Sequence, residues 1–434
     1  MQIEELYTLF LTYPKIETDT RKEVKQSLFF CLSGENFNGN QFADEATEKG
    51  AAYVIVDDKN YWRNDSRWIL VDHSLNTLQE LALYHRNQFK IPIIGITGSN
   101  GKTTSKELIA AVLSTKYNTI ATQGNLNNHI GVPLTLLRLT SETEIAVIEM
   151  GANHPDEIAF LCALSLPTFG LITNIGKAHL EGFGSLEIIK RTKLALYKSV
   201  ANQKGKLFVN FDDQLLKQEA QAYSAVSYGK DNIYDFHGRI TKEYPFLAIE
   251  WGFKNKDSKH TINSRLFGNY NFPNLMAAVA IGNYFDISPE QIAFALAAYQ
   301  PQNNRSQLIK GKQNELIMDA YNANPESLKL ALANFERDEY PKKVVILGDM
   351  FELGDYAFEE HKIILDSLLQ AHFGKVILIG SIFKQFEKKY TNFVFFENTA
   401  DFIQNRNQLN IKNMRVLIKG SRGIKLETIQ KYLL

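Results

Sequence analysis

A glycine-rich segment that joins an apolar run to a helical pattern constrains the fold of this chain more than any other feature. Residues Ile93–Thr104 read IIGITGSNGKTT, so an apolar strand runs into a turn with Gly98 and Gly101 and then reaches Lys102 and Thr103. The helical stretch that follows has its apolar residues on one face, at Leu108, Ile109, Val112 and Leu113. This order is typical of a phosphate-binding loop, because glycines let backbone N–H groups approach a phosphate at a helix N-terminus. The segment therefore predicts a nucleotide triphosphate as the ligand.

Two side chains of this loop have the chemistry that such a ligand needs. Lys102 can reach the β- and γ-phosphates, and the Thr103 hydroxyl can ligate Mg²⁺. The loop reads G-x-x-G-x-x-G-K-T from Gly95, and it departs from the general pattern because Ile96 stands where that pattern has its first glycine. The other loop residues expected to contact the nucleotide are Ser99, Asn100 and Thr104.

Short apolar runs rich in β-branched residues recur along the chain and alternate with helical patterns. Such runs are typical of parallel strands that are buried on both faces, so the predicted fold class is α/β. The runs are Ala52–Val56, Trp68–Val71, Ile145–Ile148, Phe169–Thr173, Val344–Leu347, Val376–Ile379 and Val416–Ile418. Between residues 232 and 264 the pattern becomes polar and alternating, which predicts a small antiparallel β excursion inside the middle of the chain.

The length of 434 residues suggests about three domains at roughly 100–200 residues each. A helical stretch at Thr77–Phe89 ends before the apolar run of the phosphate loop, and a polar break at Gln300–Asn304 separates a helix at Ile292–Ala298 from a strand at Glu315–Met318. We therefore expect three domains in series. They are a small N-terminal α/β domain at 1–89, a central domain with a P-loop-type, mostly parallel sheet at 90–300, and a Rossmann-like α/β domain at 301–434.

Charge and apolar content exclude several classes of protein. Lys and Arg number 48, as do Asp and Glu, so no overall charge favours nucleic acid or an anionic membrane surface. No apolar run approaches the roughly 18 residues of a membrane span, and the N-terminus has no basic segment typical of a signal peptide. Cys31 and Cys162 lack metal-ligand spacing and are expected in the core. These features predict a cytoplasmic protein.

Several further motifs follow the phosphate loop in a recognisable order. They are Asn125–Leu137 (NLNNHIGVPLTLL), Glu149–Ile158 (EMGANHPDEI), Thr173–Glu181 (TNIGKAHLE), Asp319–Pro325 (DAYNANP), Leu347–Gly354 (LGDMFELG) and Lys419–Gly423 (KGSRG). With GITGSNGKTT, this set resembles the Mur ligase family, the ATP-dependent amide ligases of peptidoglycan synthesis. The combination YNANP, GDM-ELG and KGSR is most similar to family members that add D-alanyl-D-alanine to UDP-MurNAc-tripeptide.

The resemblance implies a reaction in which ATP phosphorylates a carboxylate and an amine then attacks the acyl phosphate. One alternative is the preceding ligase of the pathway, which adds the third amino acid; its D-N-P-R-like motif is missing from the comparable region. Folylpolyglutamate synthase is a more distant alternative, and the resemblance of the first domain to a UDP-sugar domain counts against it. A catalytically silent scaffold is the third, although Lys102, Glu149 and His179 are all present.

Glu149 ends an apolar strand, which places its carboxylate at the sheet edge where ligands bind in open α/β sheets. By resemblance, Glu149 holds Mg²⁺ between the β- and γ-phosphates, and His179 helps to hold a second Mg²⁺. Lys193 is the expected site of carbamylation by CO₂, preferred over Lys190 because T-K-L-A-L-Y resembles the family motif. The resemblance also places Arg305 at the γ-phosphate. The remaining ATP contacts that it implies are Asn271, Asn274 and Asp319.

Candidate substrate contacts come from all three domains. The segment with Asp19 and Arg21 and the polar loop Ser33–Asn40 resemble a UDP-sugar domain, with Ser33 as a contact. Asn127 and Asn128 look like contacts to the acceptor peptide, and Tyr321 and Asn322 belong to the YNANP motif. Lys419 and Arg422 could bind an anionic substrate group or could form a simple turn. We expect the chain to act as a monomer.

Overall fold

The computed structural model describes residues 1–35, 37–256, 258–302 and 304–434. One residue lies outside the described residues in each of three segments discussed above. These segments are the polar loop at 33–40, the antiparallel excursion at 232–264 and the break at 300–304. Those residues are Asn36, Asp257 and Asn303. The described strands form three larger sheets that follow one another along the chain, and they confirm the predicted α/β fold class.

The N-terminal sheet is parallel and small, with the strand order β1-β2-β5-β6. Its strands and the short hairpin β3–β4 are β1 (Lys15–Glu17), β2 (Ser27–Phe30), β3 (Ser33–Gly34), β4 (Phe37–Asn38), β5 (Tyr53–Val56) and β6 (Trp68–Leu70). Its helices are α1 (Ile3–Thr12), α2 (Ala43–Glu48) and α3 (Ser74–Arg86). Helix α3 begins and ends three residues before the predicted helical stretch at Thr77–Phe89.

The central sheet has the order β15-β14-β13-β12-β11-β10-β7-β9-β8. Its strands are β7 (Ile93–Thr97), β8 (Thr119–Ala121), β9 (Ile145–Glu149), β10 (Phe169–Ile172), β11 (Lys206–Asn210), β12 (Ala225–Gly229), β13 (Phe236–Lys242), β14 (Ala248–Phe253) and β15 (His260–Asn263). The helices are α4 (Lys102–Leu113), α5 (Gly131–Leu136), α6 (Glu157–Ser165), α7 (Leu180–Phe183), α8 (Leu186–Asn202), α9 (Gln214–Glu219), α10 (Phe272–Tyr284) and α11 (Pro289–Ala298).

The predicted antiparallel excursion is part of this central sheet. Strands β13, β14 and β15 pair antiparallel with one another, but β13 pairs parallel with β12 through Tyr228 and Phe236. The physical reason is that the outer edge of β12 has backbone groups that need partners, and the next segment of the chain supplies them. The three antiparallel strands therefore widen the central sheet beyond β12.

The third sheet has the order β16-β17-β21-β18-β19-β20, with β16 antiparallel to β17 and the other pairs parallel. Its strands are β16 (Gln307–Lys310), β17 (Glu315–Asp319), β18 (Lys343–Gly348), β19 (Lys375–Ile379), β20 (Val394–Phe396) and β21 (Arg415–Lys419). Its helices are α12 (Pro325–Arg337), α13 (Ala357–Gln370), α14 (Ser381–Lys384) and α15 (Thr399–Asn405).

The strands at the centres of the second and third sheets are buried on both faces, as the continuous apolar runs predicted. Every residue of β7 is buried. Its first two residues, Ile93 and Ile94, face two different cores because side chains alternate along a strand. One of these cores also contains Leu28 and Ile55 of the N-terminal sheet, so the first and second sheets share apolar packing. Cys31 and Cys162 are buried, as predicted. Within the described ranges, no helix is both long and apolar enough to cross a membrane.

Candidate active site

A cavity of about 720 Å³ lies where the central sheet faces the loops of the third sheet. Its walls come from the ends of β7, β9 and β10, from the start of α10, and from the loops after β17 and β21. The predicted site residues that line it are Ser99, Asn100, Gly101, Lys102, Thr103, Thr104, Asn127, Asn128, Glu149, His179, Asn271, Asn274, Arg305, Asp319, Tyr321, Asn322, Lys419 and Arg422. Residues far apart in sequence therefore meet in one place.

The phosphate loop has the backbone geometry that its glycines predicted. Gly98 and Gly101 have φ values of +149° and +82°, a region that favours glycine. A Cβ on Gly98 would lie 1.9 Å from Thr173 Oγ1, and one on Gly101 would lie 2.8 Å from Asn274 Oδ1, so neither position has room for a side chain. Helix α4 begins directly after Gly101 without a side-chain cap, which leaves its first-turn N–H groups available to an anion.

Glu149 lies beside this helix, as the sequence predicted. Its Oε1 accepts hydrogen bonds from Thr103 Oγ1 at 3.0 Å and from Asn127 Nδ2 at 2.8 Å. Its Oε2 is buried and has no partner in the described structure. A buried carboxylate oxygen without a donor is costly unless a cation or a donor reaches it. A hydroxyl and a carboxylate are also the oxygen ligands that Mg²⁺ prefers.

Two lysines converge on one carbonyl oxygen of the loop. Lys102 Nζ donates to the Gly98 oxygen at 2.7 Å, and Lys193 Nζ donates to the same oxygen at 3.2 Å. Lys193 lies in α8 and is only 2% exposed. Burial, together with the charge of Lys102, lowers the pKa of Lys193 to about 7. Burial also lowers the pKa of Lys102. Lys190, the alternative, forms an ion pair with Glu219 at 2.7 Å.

His179 lies against a carboxylate from the third part of the chain. Its Nδ1 lies 2.7 Å from Glu352 Oε2, and this contact holds the pKa of Glu352 below its usual range. The structure describes no contact between His179 and Lys193, the residue whose carbamylation the family resemblance implies. Among the described residues, no group of three or more His, Cys, Asp or Glu side chains could hold a metal ion. A second cation here would therefore need ligands from substrates or from a modified lysine.

Arg305 and Asp319 reach the cavity from the third sheet. The Arg305 guanidinium carbon lies 3.6 Å from the centre of the Tyr321 ring, and its Nε is buried with no hydrogen-bond partner in the described chain. Asp319 accepts a hydrogen bond from the Ser306 N–H at 3.1 Å. Its other oxygen accepts from Lys419 Nζ at 2.6 Å. Lys419 is 3% exposed, and the Asp319 carboxylate balances its charge inside the protein.

Asn271 and Asn274 connect α10 to the phosphate-loop helix. Asn274 Oδ1 accepts a hydrogen bond from Ser105 Oγ at 3.0 Å, and its Nδ2 donates to Asn271 Oδ1 at 2.9 Å. Asn271 Nδ2 in turn donates to the Phe267 carbonyl at 2.8 Å. Both side chains thus have structural partners and still line the cavity.

The predicted N-terminal contacts do not line this cavity. Arg21 donates to Asp19 at 2.7 Å, which lowers the pKa of Asp19 to about 2. Ser33 donates to Asn38 at 3.1 Å within the hairpin. Asn40, at the end of the same loop, is buried and donates to Asp57 at 2.8 Å, so its contacts hold the hairpin against β5.

Sequence reasoning missed three residues that shape the loop. Asn174 accepts from the Asn100 N–H through Oδ1 at 3.0 Å and donates to the Asn100 carbonyl at 2.9 Å. From the third sheet, Asn324 Nδ2 donates to Asn100 Oδ1 at 2.8 Å. Burial raises the pKa of Glu326, whose carboxylate lies against Gly176. Asn174 and Asn324 stand inside the TNIGKAH and YNANP motifs, whereas nothing in the sequence distinguishes Glu326 from an ordinary acidic residue in a first helical turn.

Family comparisons agree with this geometry. The Mur ligase middle domain matches residues 96–282, and the Mur ligase glutamate ligase domain matches residues 304–422. The UDP-N-acetylmuramoyl-tripeptide–D-alanyl-D-alanine ligase of Bacillus subtilis (strain 168) is 38% identical over an alignment that covers 96% of this chain and 93% of the relative. The chain belongs to the Mur ligase family. The resemblance predicted from the motifs is confirmed.

Solved structures extend the likeness of this Mur ligase to three dimensions. A crystal structure of MurF from Acinetobacter baumannii superposes with a TM-score of 0.85 at 29% identity, covering 96% of this chain and 93% of that one. The MurF ligase from Thermotoga maritima in complex with ADP gives a TM-score of 0.85 at 27% identity, covering 98% and 97%. The three-part α/β architecture predicted from the sequence is thus shared along nearly the whole chain.

Proposed function

We propose that this Mur ligase uses ATP to join the terminal carboxylate of UDP-MurNAc-tripeptide to the amine of D-alanyl-D-alanine, in the synthesis of peptidoglycan precursors. The carboxylate attacks the γ-phosphorus of ATP and ADP leaves; the dipeptide amine then attacks the acyl carbon, phosphate leaves, and the amine loses a proton. The observation that carries the proposal is the meeting of the phosphate loop with the YNANP segment, through the hydrogen bond between Asn100 and Asn324.

The nucleotide part of the proposal rests on α4 and its surroundings. The first-turn N–H groups of α4 and the ammonium group of Lys102 would bind the phosphates of ATP. Thr103 and Glu149 would hold Mg²⁺, since the Oε2 of Glu149 is buried without a described partner. The ion, when bound, neutralises charge on the phosphates. Asn271 would face the adenine side, and the arrangement of Asp319 beside the cavity suits a ribose contact.

Lys193 fits the proposed carbamate. The neutral amine is the form that reacts with CO₂, and a lysine whose pKa is about 7 is substantially neutral near pH 7. A carbamate would place an anion beside Lys102 and would supply the oxygen ligands for a second Mg²⁺ near His179. Lys193 itself is held at the Gly98 carbonyl, so the modified group would have a fixed position below the loop.

The proposed division of labour follows the three sheets. Residues 1–89 would bind the UDP-sugar through Asp19, Arg21 and Ser33, residues 90–300 would bind ATP, and residues 301–434 would bind the dipeptide. Arg305 would bind the γ-phosphate, since its guanidinium group is held on Tyr321 and its charge contributes to the lowered pKa of Lys102. Asn127 and Asn128 would contact the acceptor peptide. We propose that the enzyme acts as a monomer in the cytoplasm.

A phosphate-release assay tests this function. The protein is given MgATP and UDP-MurNAc-tripeptide, with or without D-alanyl-D-alanine, and with lysine or diaminopimelate as the third residue of the tripeptide. We expect phosphate release that depends on the dipeptide. Lys102→Met should abolish it, whereas Lys198→Met, at an exposed position of α8, should not.

Two results would contradict the proposal. One is the absence of dipeptide-dependent phosphate release from protein that binds the nucleotide sugar. The other is a preference for UDP-MurNAc-dipeptide with a free amino acid, which would identify the preceding ligase of the pathway.

A further inference from the structure

Arg305 enters the cavity where the chain passes from the central part to the third sheet, two residues before β16 begins at Gln307. Its guanidinium carbon lies 3.6 Å from the centre of the Tyr321 ring. Its buried Nε has no hydrogen-bond partner within the described residues. The face of a ring attracts a cation but offers it no hydrogen-bond acceptor of fixed direction. The backbone next to Arg305 must therefore do part of the positioning.

The backbone on both sides of Arg305 is in the left-handed region. Asn304 and Ser306 have φ values of +56° and +49°, a conformation that costs free energy in residues with a side chain. Neighbouring contacts have to hold it. Ser306 is 8% exposed, and its N–H donates to Asp319 Oδ1 at 3.1 Å. This bond fixes Ser306 to the end of β17.

The hydroxyl of Tyr270 gives Ser306 a second contact, this time from the central part of the chain. Tyr270 Oη and Ser306 Oγ form a hydrogen bond at 3.0 Å. Burial and the carboxylate of Asp319 raise the pKa of Tyr270, so the hydroxyl keeps its proton near neutral pH. The ring packs on bare backbone, because a Cβ on Gly268 would lie 2.3 Å from it. Tyr270 is thus held in place beside the residue that follows Arg305.

Tyr270 is also connected to the helix of the phosphate loop. The next residue, Asn271, accepts a hydrogen bond from Asn274 at 2.9 Å, and Asn274 accepts one from Ser105 of α4 at 3.0 Å. Helix α4 carries the first-turn N–H groups that face the cavity. These contacts therefore connect the phosphate end of the cavity to the backbone of Arg305.

From these contacts, we infer that Tyr270 is a positioning residue for phosphoryl transfer, which holds Arg305 at the γ-phosphate through its hydrogen bond to Ser306. The inference rests on the proposed function. Lys102 and the N–H groups of α4 bind ATP before the reaction, whereas Arg305 matters most when charge shifts during the transfer. Loss of the Tyr270 hydroxyl should therefore slow the transfer more than it weakens ATP binding.

The test is made on the full-length protein with MgATP, UDP-MurNAc-tripeptide and D-alanyl-D-alanine. ADP formed in the first turnover is measured in quenched samples, and KM for ATP is measured in the steady state. Tyr270→Phe keeps the ring on Gly268 and removes only the hydroxyl. It should slow the first turnover by at least about five-fold, the value of one neutral hydrogen bond, with little change in KM for ATP. Ser306→Ala tests the same bond from the other side and should have the same effect.

Two double variants separate positioning from a general structural role. Tyr270→Phe combined with Ser306→Ala should be no slower than the slower single variant, because both remove the same bond. In an Arg305→Met background, Tyr270→Phe should cause no further loss, since the residue that it positions is absent.

The matched control is Tyr244→Phe. Tyr244 also bridges the central part and the third sheet, since its hydroxyl donates to the Asn334 carbonyl of α12 at 2.7 Å, but it lies outside the described lining of the cavity. This variant should keep the first-turnover rate of the wild type. Urea unfolding of each variant checks that it is folded.

Four results would overturn the inference. They are an unchanged first turnover in Tyr270→Phe, a higher KM for ATP as its only effect, an undiminished further loss in the Arg305→Met background, and an equal slowing in Tyr244→Phe. The second of these would mean that the hydroxyl contacts the nucleotide instead. If the wild type formed no ADP with these substrates, the proposed function itself would fail, and this outcome is distinct from the other four.

Discussion

Replacing Lys193 by methionine should make the protein more stable and inactive as a ligase. The lysine is 2% exposed, and its burial beside Lys102 lowers its pKa to about 7. Methionine has a similar length and no charge, so it removes the cost of keeping an ammonium group in this position. The Gly98 carbonyl keeps a donor, because Lys102 also bonds to it.

The size of the gain follows from the pKa. In the unfolded chain, lysine titrates near 10.4, so between pH 7 and pH 10 the unfolded state binds more protons than the folded state. The contribution of Lys193 to wild-type stability therefore rises with pH in this range, by about 1.4 kcal/mol per pH unit. Below pH 7 both states are protonated and the cost is complete, at roughly 5 kcal/mol, an upper figure because water and relaxation reduce it. The advantage of Lys193→Met should shrink toward zero as the pH approaches 10.

The assay is urea unfolding of wild type and variant at pH 6, 7, 8, 9 and 10 in buffers purged of CO₂. Lys190→Met is the control, since that residue is ion-paired with Glu219 and should give no such pH dependence. Phosphate release measured in parallel should be lost in Lys193→Met only. A difference in stability that does not change between pH 7 and pH 10 would refute the buried-amine argument. Full ligase activity in the variant would refute the carbamate.

Three further changes test other parts of the structure. Glu149→Gln keeps a hydrogen-bond acceptor but removes the charge that would bind Mg²⁺, so phosphate release should fall at least about 100-fold; a rate near wild type at any Mg²⁺ concentration would contradict the metal role. Arg415→Met leaves the buried carboxylate of Asp338 without its 2.7 Å partner, and urea unfolding should show a loss of about 3–5 kcal/mol; a loss below about 1 kcal/mol would mean that the pair is already solvated. Tyr299→Phe removes a 2.5 Å hydrogen bond to Glu107, and thermal unfolding should show a loss of about 1 kcal/mol, whereas an unchanged melting temperature would mean that this bond is not maintained in solution.

The sequence was most informative where local chemistry decides the structure. The glycines of the phosphate loop, the strand that ends at Glu149 and the apolar face of α4 were all predictable, because each depends on backbone freedom or on residue periodicity. The apolar runs became strands for the same reason. The preference for Lys193 over Lys190 came from the family motif, and the structure places Lys193 in the core and Lys190 at an ion pair.

Partners that come from distant segments were not predictable. Lys419 lies one hundred positions from Asp319, and only the parallel pairing of β17 and β21 puts them side by side. The contact of His179 with Glu352 and the position of Glu326 against Gly176 likewise depend on how the third sheet meets the central one. The antiparallel strands of the middle region were recognised, but their attachment to β12 was not, since pairing partners leave no periodic signal.

Asn100 is held from two sides, by Asn174 of the central sheet and by Asn324 of the third sheet. A side chain in the phosphate loop that bonds directly to the segment beside the proposed dipeptide site gives the two sites a shared energetic element. Thermodynamic linkage is reciprocal. If bound nucleotide raises the affinity for the dipeptide by some factor, bound dipeptide must raise the affinity for the nucleotide by the same factor. A substitution at Asn100 that reduces one of these factors must reduce the other equally.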